Sequence, residues 1–413
     1  MTGVVRNSCA AWSDGTLYPE KLLSRSSPFL VLRTFRPSET RFLPDILGGG
    51  GGSFLFNAAW SQRAPAPSSA GRSGTCSIAH IVYGPLARAL KGSQIITVKE
   101  FLMKVLVTGG AGFIGSHVVD TLLEAGHHVV VLDNLWEHGG GKMENVNPRA
   151  IFYEMDIRDP ALQNIFEEEQ PEAICHLAAQ HSVKISTDDP RHDASVNILG
   201  LINLLQNATR FGVRKIVFSS SGATYGTVEE MPVDENTRQN PESPYGTTKM
   251  ASEFYLRFWK NMYGLDFTIL RYGNVYGPRQ DPLGEAGVIA IFSRQVLLNE
   301  PVRIDWDGEQ QKDYVYVRDV ARANLLALDT GGGEAYCIGY GKGTSVNRLY
   351  QGLVKEIGHE VEIRKAPKRP GDIYLTYFDC GKARRELGWQ AEVGLEEGLR
   401  LTVDYFREDL GIT

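Results

Sequence analysis

Metal-ligand clusters and disulfide spacings are the first things this 413-residue sequence lacks. Its cysteines stand at 9, 76, 175, 337 and 380, an odd number with no CxxC spacing. That excludes a disulfide framework and a zinc site, and fits reduced thiols in a cytoplasmic protein with no metal. No apolar run approaches the roughly 20 residues needed to span a bilayer, so no membrane partner is expected. Positive charge is also scarce where a polyanion would need it. The net charge is −6, and residues 103–413 hold 32 basic against 44 acidic residues. An acidic body of this kind repels nucleic acid. The remaining composition, 42 % hydrophobic and 22 % charged, is that of a globular α/β protein of one large domain or two.

Residues 1–102 lack a sustained period of 2 or 3.6. They carry five glycines in a row at 48–52, the stretch Ala64-Pro-Ala-Pro-Ser-Ser-Ala70, and 11 basic against 5 acidic residues. The composition predicts a disordered extension without a core. It is Ser- and Arg-rich like a transit peptide, but already has acids at Asp14 and Glu20 and no clean amphipathic helix. A second expectation is that translation starts at Met103. Lys99-Glu100 can be encoded by a ribosome-binding sequence, with Phe101-Leu102 as spacer. Peptides from residues 1–90 in the natively expressed protein would overturn it.

From Met103 the apolar pattern alternates between strand and helix. Strands are predicted at 104–108, 128–132, 151–155, 173–176, 215–218 and 267–270. Helical segments separate them, which implies a doubly wound parallel sheet covered on both faces. Beyond about residue 275 the spacing loosens. Strands at 302–304, 314–317 and 360–364 and helices at 285–299, 319–329 and 345–357 predict a smaller α/β substrate lobe over 276–413, beside a Rossmann domain over 103–275.

Gly110-Ala-Gly112-Phe-Ile-Gly115, preceded by Gly109, follows the first strand and opens a helix. Glycines in that setting let the backbone approach a pyrophosphate lying at a helix N-terminus. Asp133 ends the second strand, where an acid accepts hydrogen bonds from a ribose 2′-hydroxyl and repels a 2′-phosphate. The cofactor expected is therefore NAD. Asp156-Ile157, after the third strand, is placed at the adenine edge, although a surface acid closing a strand would look the same. His176-Leu-Ala-Ala-Gln180 supplies small residues where backbone passes the cofactor, and His176 reads as a hydrogen-bonded structural histidine.

Two further stretches carry chemistry. Ser219-Ser-Ser221-Gly-Ala-Thr-Tyr-Gly226 follows a strand, and Ser243-Pro-Tyr245-Gly-Thr-Thr-Lys249 enters a helix. Tyr245 and Lys249, four apart, share a helical face. A neighbouring ammonium lowers a phenol's pKa, as would the positive charge of NAD, making a base usable near neutral pH.

With these motifs assembled, the chain resembles the extended short-chain dehydrogenase/reductase family, and within it the UDP-glucose 4-epimerases. The resemblance runs from Met103 to about residue 406. It rests on TGGAGFIG (108–115), DNL (133–135), HLAAQ (176–180), SSSGATYG (219–226), SPYGTTK (243–249), RYGNVYGPRQDP (271–282) and RPGD (369–372). It implies that Tyr245 takes the proton of the sugar 4-hydroxyl while NAD oxidises C4. Ser221 would hydrogen-bond the reacting oxygen, and Lys249 would tune Tyr245 and hold the nicotinamide ribose. The NAD contacts it implies are Gly109, Gly112, Phe113, Ile114, Gly115, Asp133, Asn134, Asp156, Ile157, Leu177, Ala178, Ala179, Gln180, Asn197, Ser219, Tyr245, Lys249 and Tyr272. For the UDP-sugar it implies Ser221, Asn274, Val288, Lys312, Arg369, Asp372 and Thr376.

Sister dehydratases and decarboxylases place acids just after the catalytic Ser or Thr. Here those positions are Gly222, Ala223 and Thr224, so only oxidation and reduction at one carbon is supported. The rival readings are a UDP-glucuronate 4-epimerase or decarboxylase and, in another class, an NAD-sensing regulator without turnover.

Three departures from the family pattern stand out. Lys312 replaces the usual Arg, trading a bidentate fork for a point charge. Asp305-Trp306-Asp307-Gly308 replaces aromatic-Gly-Asp-Gly, so the aromatic that would meet the uracil is absent. Both base stacking and structural burial are open to Trp306. Thr376 stands where a bulky Tyr would restrict the sugar 2-substituent, which predicts tolerance of N-acetylhexosamines. Finally, the apolar segment Val196–Leu205 and the aromatic residues Phe254, Tyr255, Phe258 and Trp259 predict burial on both sides of a helix pair, through a homodimer as the resemblance implies.

Overall fold

The computed structural model describes residues 102–283, 287–368 and 373–412. The expectations for residues 1–101, and those for Arg369 and Asp372, lie outside the described residues. The strands of the main sheet are β1 (Lys104–Thr108), β2 (His128–Asp133), β3 (Ile151–Glu154), β4 (Ala173–His176), β5 (Lys215–Ser221), β6 (Asp266–Tyr272) and β10 (Glu334–Ile338). Their order is β10-β6-β5-β4-β1-β2-β3, all parallel. Strand order reverses between β1 and β4, and a crevice opens beyond the carboxyl ends of the strands there. Continuous apolar runs such as Val105-Leu-Val107 and Val129-Val-Val-Leu132 form these strands because both faces are covered.

Helices α1 (Phe113–Glu124), α2 (Leu162–Glu169), α3 (Val183–Asp188), α4 (Pro190–Ala194), α5 (Gly200–Arg210) and α6 (Pro244–Tyr263) connect the first six strands, with a π-helical turn at Ser195–Leu199 leading into α5. One sheet face packs Leu106, Val130 and Ile174 against Leu162, Phe166, Leu201, Leu204 and Trp259. The other packs Val105, Val107 and Val131 against Val118 and Leu122 of α1.

The remaining elements are β7 (Asn274–Tyr276), α7 (Val288–Leu297), β8 (Val302–Asp305), β9 (Gln311–Tyr316), α8 (Val317–Ala327), β11 (Gly343–Ser345), α9 (Val346–Ile357), β12 (Ile363–Ala366), α10 (Gly381–Glu386) and α11 (Leu395–Asp409). They make two small sheets, β11-β9-β7 and β12-β8, around a third core of Tyr276, Ile289, Phe292, Ile304, Leu349 and Leu399.

The division at 275/276 is not a clean chain boundary. Val320, Ala323 and Ala327 of α8, Tyr336 and Ile338 of β10, and Trp389 pack into the same core as Val105 and Val118. β10 itself pairs with β6 from Glu334↔Thr268 to Ile338↔Tyr272. Sequence reading passes over β10 because it is a short apolar run behind three glycines. β12 begins three residues later than expected, since Val361 is tied to α9 instead. Its N–H donates to the Tyr350 hydroxyl, which donates to its carbonyl, at 3.1 and 3.0 Å. β5 runs three residues longer, because Ser219, Ser220 and Ser221 continue the ladder beside Leu270, Arg271 and Tyr272.

Candidate active site

A cavity of about 1200 Å³ runs from the first βα turn, past the end of β5, into the smaller lobe. Its floor at one end is the glycine turn. Gly109 adopts φ +72°, and a Cβ there would come within 2.6 Å of the Ala178 nitrogen. At Gly115 a Cβ would lie 2.0 Å from the Gly109 carbonyl oxygen. Side chains at either position would fill the approach, so the turn keeps backbone exposed to whatever lies on it. α1 starts at Phe113 with no acid in its first turn and no side-chain cap on its amides. Such an N-terminus favours an anion.

Asp133 closes β2 beside this turn. Its carboxylate accepts from the Ala111 and Leu135 N–H groups, each at 3.0 Å. Burial raises its pKa, opposed by those backbone donors. Asp156 also reaches the cavity, but both its oxygens are already engaged. Arg158 donates to them from its backbone, Nε and Nη2 at 2.8–2.9 Å, and Asn134 donates at 3.0 Å. The Arg158 hydrogen bonds hold the carboxyl below its ordinary value. Arg158 is a wall residue that sequence reading missed.

Ile157, Leu177, Ala178, Ala179 and Gln180 continue the wall, with Phe113, Ile114, Asn134, Ser219 and Tyr272. Asn197 does not belong to it. It lies one layer behind, 4 % exposed, with Oδ1 accepting from the Gln180 N–H and Nδ2 donating to the Gln180 carbonyl, both at 2.9 Å. Thr248 and Asp193 hold its remaining side. Asn197 shapes the cradle through Gln180. His176 is buried and pairs its Nδ1 with the Thr108 hydroxyl at 2.7 Å. Burial, then the charge of Lys249, push its pKa down to about 3, so it is neutral.

The three serines at the end of β5 have three separate positions. Ser219 pairs with the Tyr272 hydroxyl at 3.1 Å, and Ser220 donates to Glu253 at 2.6 Å. Ser221 is half-buried on the cavity wall, its hydroxyl oxygen accepting from the Ala223 N–H at 3.1 Å. Ser243 caps α6, accepting from the Gly246 N–H, and Pro244 occupies the first helical turn. That cap fixes where Tyr245 enters the cavity, with Lys249 one turn on. Lys249 donates to the Ser219 carbonyl at 2.8 Å, and its ammonium lies 5.9 Å from the centre of the Tyr245 ring.

The electrostatics differ from the expectation for this pair. Tyr245 is pushed up to about 12, chiefly by burial, with a Ser221 hydrogen bond working downward and the charge of Asp193 upward. Burial pushes Lys249 down to about 8, against the charges of Asp193 and Glu253. Burial is the largest of the effects on Tyr245 and leaves it above the ordinary phenol value.

In the smaller lobe the wall includes Asn274, Val288, Lys312, Tyr314, Arg303 and Gln310. Lys312 also donates to the Ile373 carbonyl at 2.5 Å. Arg303, which no motif singled out, has its Nε on Asp305 at 2.7 Å. Trp306 neither joins the described wall nor enters a core. It takes φ +61°, in the left-handed region, at the position where the family pattern has Gly. Its ring packs edge-on against Tyr374 at 4.8 Å with the Lys368 ammonium 4.2 Å from its centre. Thr376 is likewise absent from the described wall. The Gln311↔Leu375 bridge draws its segment alongside β9, its N–H donates to the Gln311 carbonyl, and its hydroxyl is buried. The proposed gate on the sugar 2-substituent therefore has no geometric support at this residue. Gly222, Ala223 and Thr224 form a 3₁₀ turn off the described wall, with the Thr224 hydroxyl returned to the Ser221 carbonyl at 2.9 Å. Among the described residues no cluster could hold a metal, and no helix is long and apolar enough to cross a membrane.

Residues 106–402 match the family described as GDP-mannose 4,6 dehydratase. UDP-glucose 4-epimerase from Thermotoga maritima, solved with UDP-glucose, is 51 % identical with a TM-score of 0.73, over 75 % of this chain and 100 % of that one. The Thermus thermophilus UDP-glucose 4-epimerase, solved with NAD, is 46 % identical with a TM-score of 0.71, over 74 % and 99 %. UDP-glucose 4-epimerase of Mycolicibacterium smegmatis is 45 % identical over 312 residues, 74 % of this chain and 99 % of that protein.

Proposed function

The chain belongs to the extended short-chain dehydrogenases/reductases, in the family that the GDP-mannose 4,6 dehydratase model describes, and from that premise we propose an NAD-dependent UDP-glucose 4-epimerase. The observation that carries the reading is the meeting of Ser221, Tyr245 and Lys249 on one cavity wall, with no carboxylate on the turn that follows Ser221. A dehydratase needs a further acid and base at the neighbouring carbon, and that turn offers Gly222, Ala223 and Thr224.

The glycine turn and the N-terminus of α1 fit the pyrophosphate of NAD, and the closed space at Gly109 and Gly115 is what such a close approach requires. Asp133 would receive the adenosine ribose, and Lys249 the nicotinamide ribose. NAD, when bound, supplies the oxidant that takes hydrogen from the sugar C4 and the reductant that returns it. Ser221 holds the C4 oxygen by a hydrogen bond, and Tyr245 accepts the hydroxyl proton, leaving a 4-keto sugar. Tyr245 gives the proton back once the sugar has presented its other face. A phenol pushed up to about 12 needs positive charge to serve as a base, and the Lys249 ammonium, 5.9 Å from its ring centre, can supply it. Lys312, Asn274 and the wall of α7 would receive the UDP portion, a cation being required to offset a diphosphate.

Association through α6 completes the proposal. Phe254, Phe258 and Met262 recur every fourth residue and are 61 %, 48 % and 62 % exposed, beside Leu199 at 60 %. In the Val196–Leu205 segment Leu199 is the exposed residue, the others being buried or half-buried. A second copy of the helix pair, making a four-helix homodimer contact, would bury the α6 stripe and Leu199.

The deciding experiment denatures the purified protein to look for released NAD, and incubates the native protein with UDP-galactose, UDP-N-acetylgalactosamine and UDP-galacturonate. Turnover of UDP-galactose with bound NAD supports the reading, and turnover of UDP-galacturonate alone moves it to the glucuronate branch. Turnover of none defeats it.

A further inference from the structure

Asp193 of α4 is a wholly buried acid to which the chemistry above gives no part. Three neutral donors hold it. Its Oδ1 accepts from Gln180 Nε2 at 2.8 Å and Asn197 Nδ2 at 3.0 Å, and its Oδ2 accepts from the Thr248 hydroxyl at 2.9 Å. One donor lies on the site and the other two stand directly behind it. Gln180 is on the cavity wall in the loop after β4, Asn197 grips the Gln180 backbone, and Thr248 lies on α6 between Tyr245 and Lys249. Thr248 also meets the Tyr245 carbonyl at 3.0 Å.

The charge balance around Lys249 gives Asp193 a second part. Lys249 is faced by Tyr245 and Glu253 on its own helix, Asp193 from α4, His176 from β4 and the Ser219 carbonyl from β5. Glu253 is already paired with Arg271, Nη2 to Oε2 at 2.6 Å and Nε to Oε1 at 3.0 Å. His176 is neutral. Asp193 is thus the anion near Lys249, among the described groups, that no arginine or lysine contacts. Burial raises its pKa, opposed by the Thr248 and Gln180 hydrogen bonds and then by the charges of Lys249 and His192.

We propose that Asp193 is a positioning residue of the reaction, tying the helix turn of Tyr245 and Lys249 to Gln180 in the loop after β4 and holding Lys249 as the ammonium ion. The proposal rests on the reading of Tyr245 and Lys249 as the reacting pair. Asp193→Asn keeps the size, and its amide can donate to Thr248 while Thr248 donates to the Tyr245 carbonyl. The tie is then kept and only the charge is lost. Thr248→Val does the reverse.

The test is a titration of the Lys249 ¹³Cε resonance in ¹³C-lysine-labelled protein, assigned by its loss in Lys249→Met. A wild-type midpoint near 8 is expected. In Asp193→Asn it should fall by about one pH unit, a tenfold change in ionisation. The alkaline limb of the kcat profile with UDP-galactose should shift the same way, with KM little changed. Thr248→Val should keep the wild-type midpoint and lose kcat. An unmoved Lys249 midpoint in Asp193→Asn overturns the charge role, and full kcat in Thr248→Val overturns the tie. Should Asp193→Asn not fold, the ¹³Cγ resonance of Asp193 in the wild type decides. An ionised carboxylate at pH 7 supports the proposal, and a protonated one ends it. The titrations need no substrate, so failure of the epimerase reading would be seen separately, as absent turnover.

Discussion

Tyr245, Glu253 and Lys312 are single side chains whose surroundings fix what their loss should do. Tyr245→Phe keeps the ring and removes the proton acceptor. UDP-galactose turnover should fall about 10²–10⁴-fold, the usual worth of a general base, while denatured samples still release NAD. Glu253 is 2 % exposed and pairs both oxygens with Arg271. Glu253→Gln leaves that guanidinium without a counter-charge, and urea unfolding should show a loss of about 3–5 kcal/mol. Lys312 lies in the lobe, remote in sequence from the reacting pair. Lys312→Ala should raise KM for the UDP-sugar about tenfold or more with kcat little changed, as expected when ground state and transition state lose the same contact.

At the scale of the element, the glycine turn and α6 are the two devices that hold the site. Gly115→Ala places a methyl 2.0 Å from the Gly109 carbonyl, against backbone that cannot step aside. The turn must widen, so the purified variant should release little NAD on denaturation and unfold about 1–3 kcal/mol earlier, the usual cost of overpacking. Helix α6 carries both the Tyr–Lys pair and the proposed homodimer contact. Its first turns carry Tyr245 and Lys249, while its last turns carry the exposed stripe of Phe254, Phe258 and Met262. The Tyr–Lys spacing was legible because helical geometry alone puts residues four apart on one face. The upward push on Tyr245 was not legible, because it comes from walls supplied by other elements.

Among the described residues the main sheet ends on a strand that returns from the second half of the chain. β10 pairs with β6, and α8 and Trp389 fill the core beneath α1, so the lobe and the nucleotide-binding sheet share one hydrophobic interior. Denaturant unfolding of the described body should accordingly be a single transition by both fluorescence and circular dichroism. Two separated transitions would mean independent domains. On the proposed α6 contact the wild type should run at dimer mass in light scattering, and the double variant Phe254→Asp, Phe258→Asp at monomer mass.

Local order along the chain determined a good deal by itself. The glycine spacing after an apolar strand, the acid at the end of β2, the serines behind β5 and the Tyr–Lys pair each depend on short-range geometry, so each could be read from neighbours in sequence. The tertiary structure decided what depends on residues far apart. It put Asn197 behind Gln180 instead of on the cavity wall, set Trp306 against Tyr374 and Lys368, and drew Thr376 beside β9. It also brought Arg158 and Arg303 to the wall and tied Asp193 to Thr248 of α6. Position against a cavity and the pKa of a buried group are set by everything that excludes water around them. That information is distributed over the whole fold.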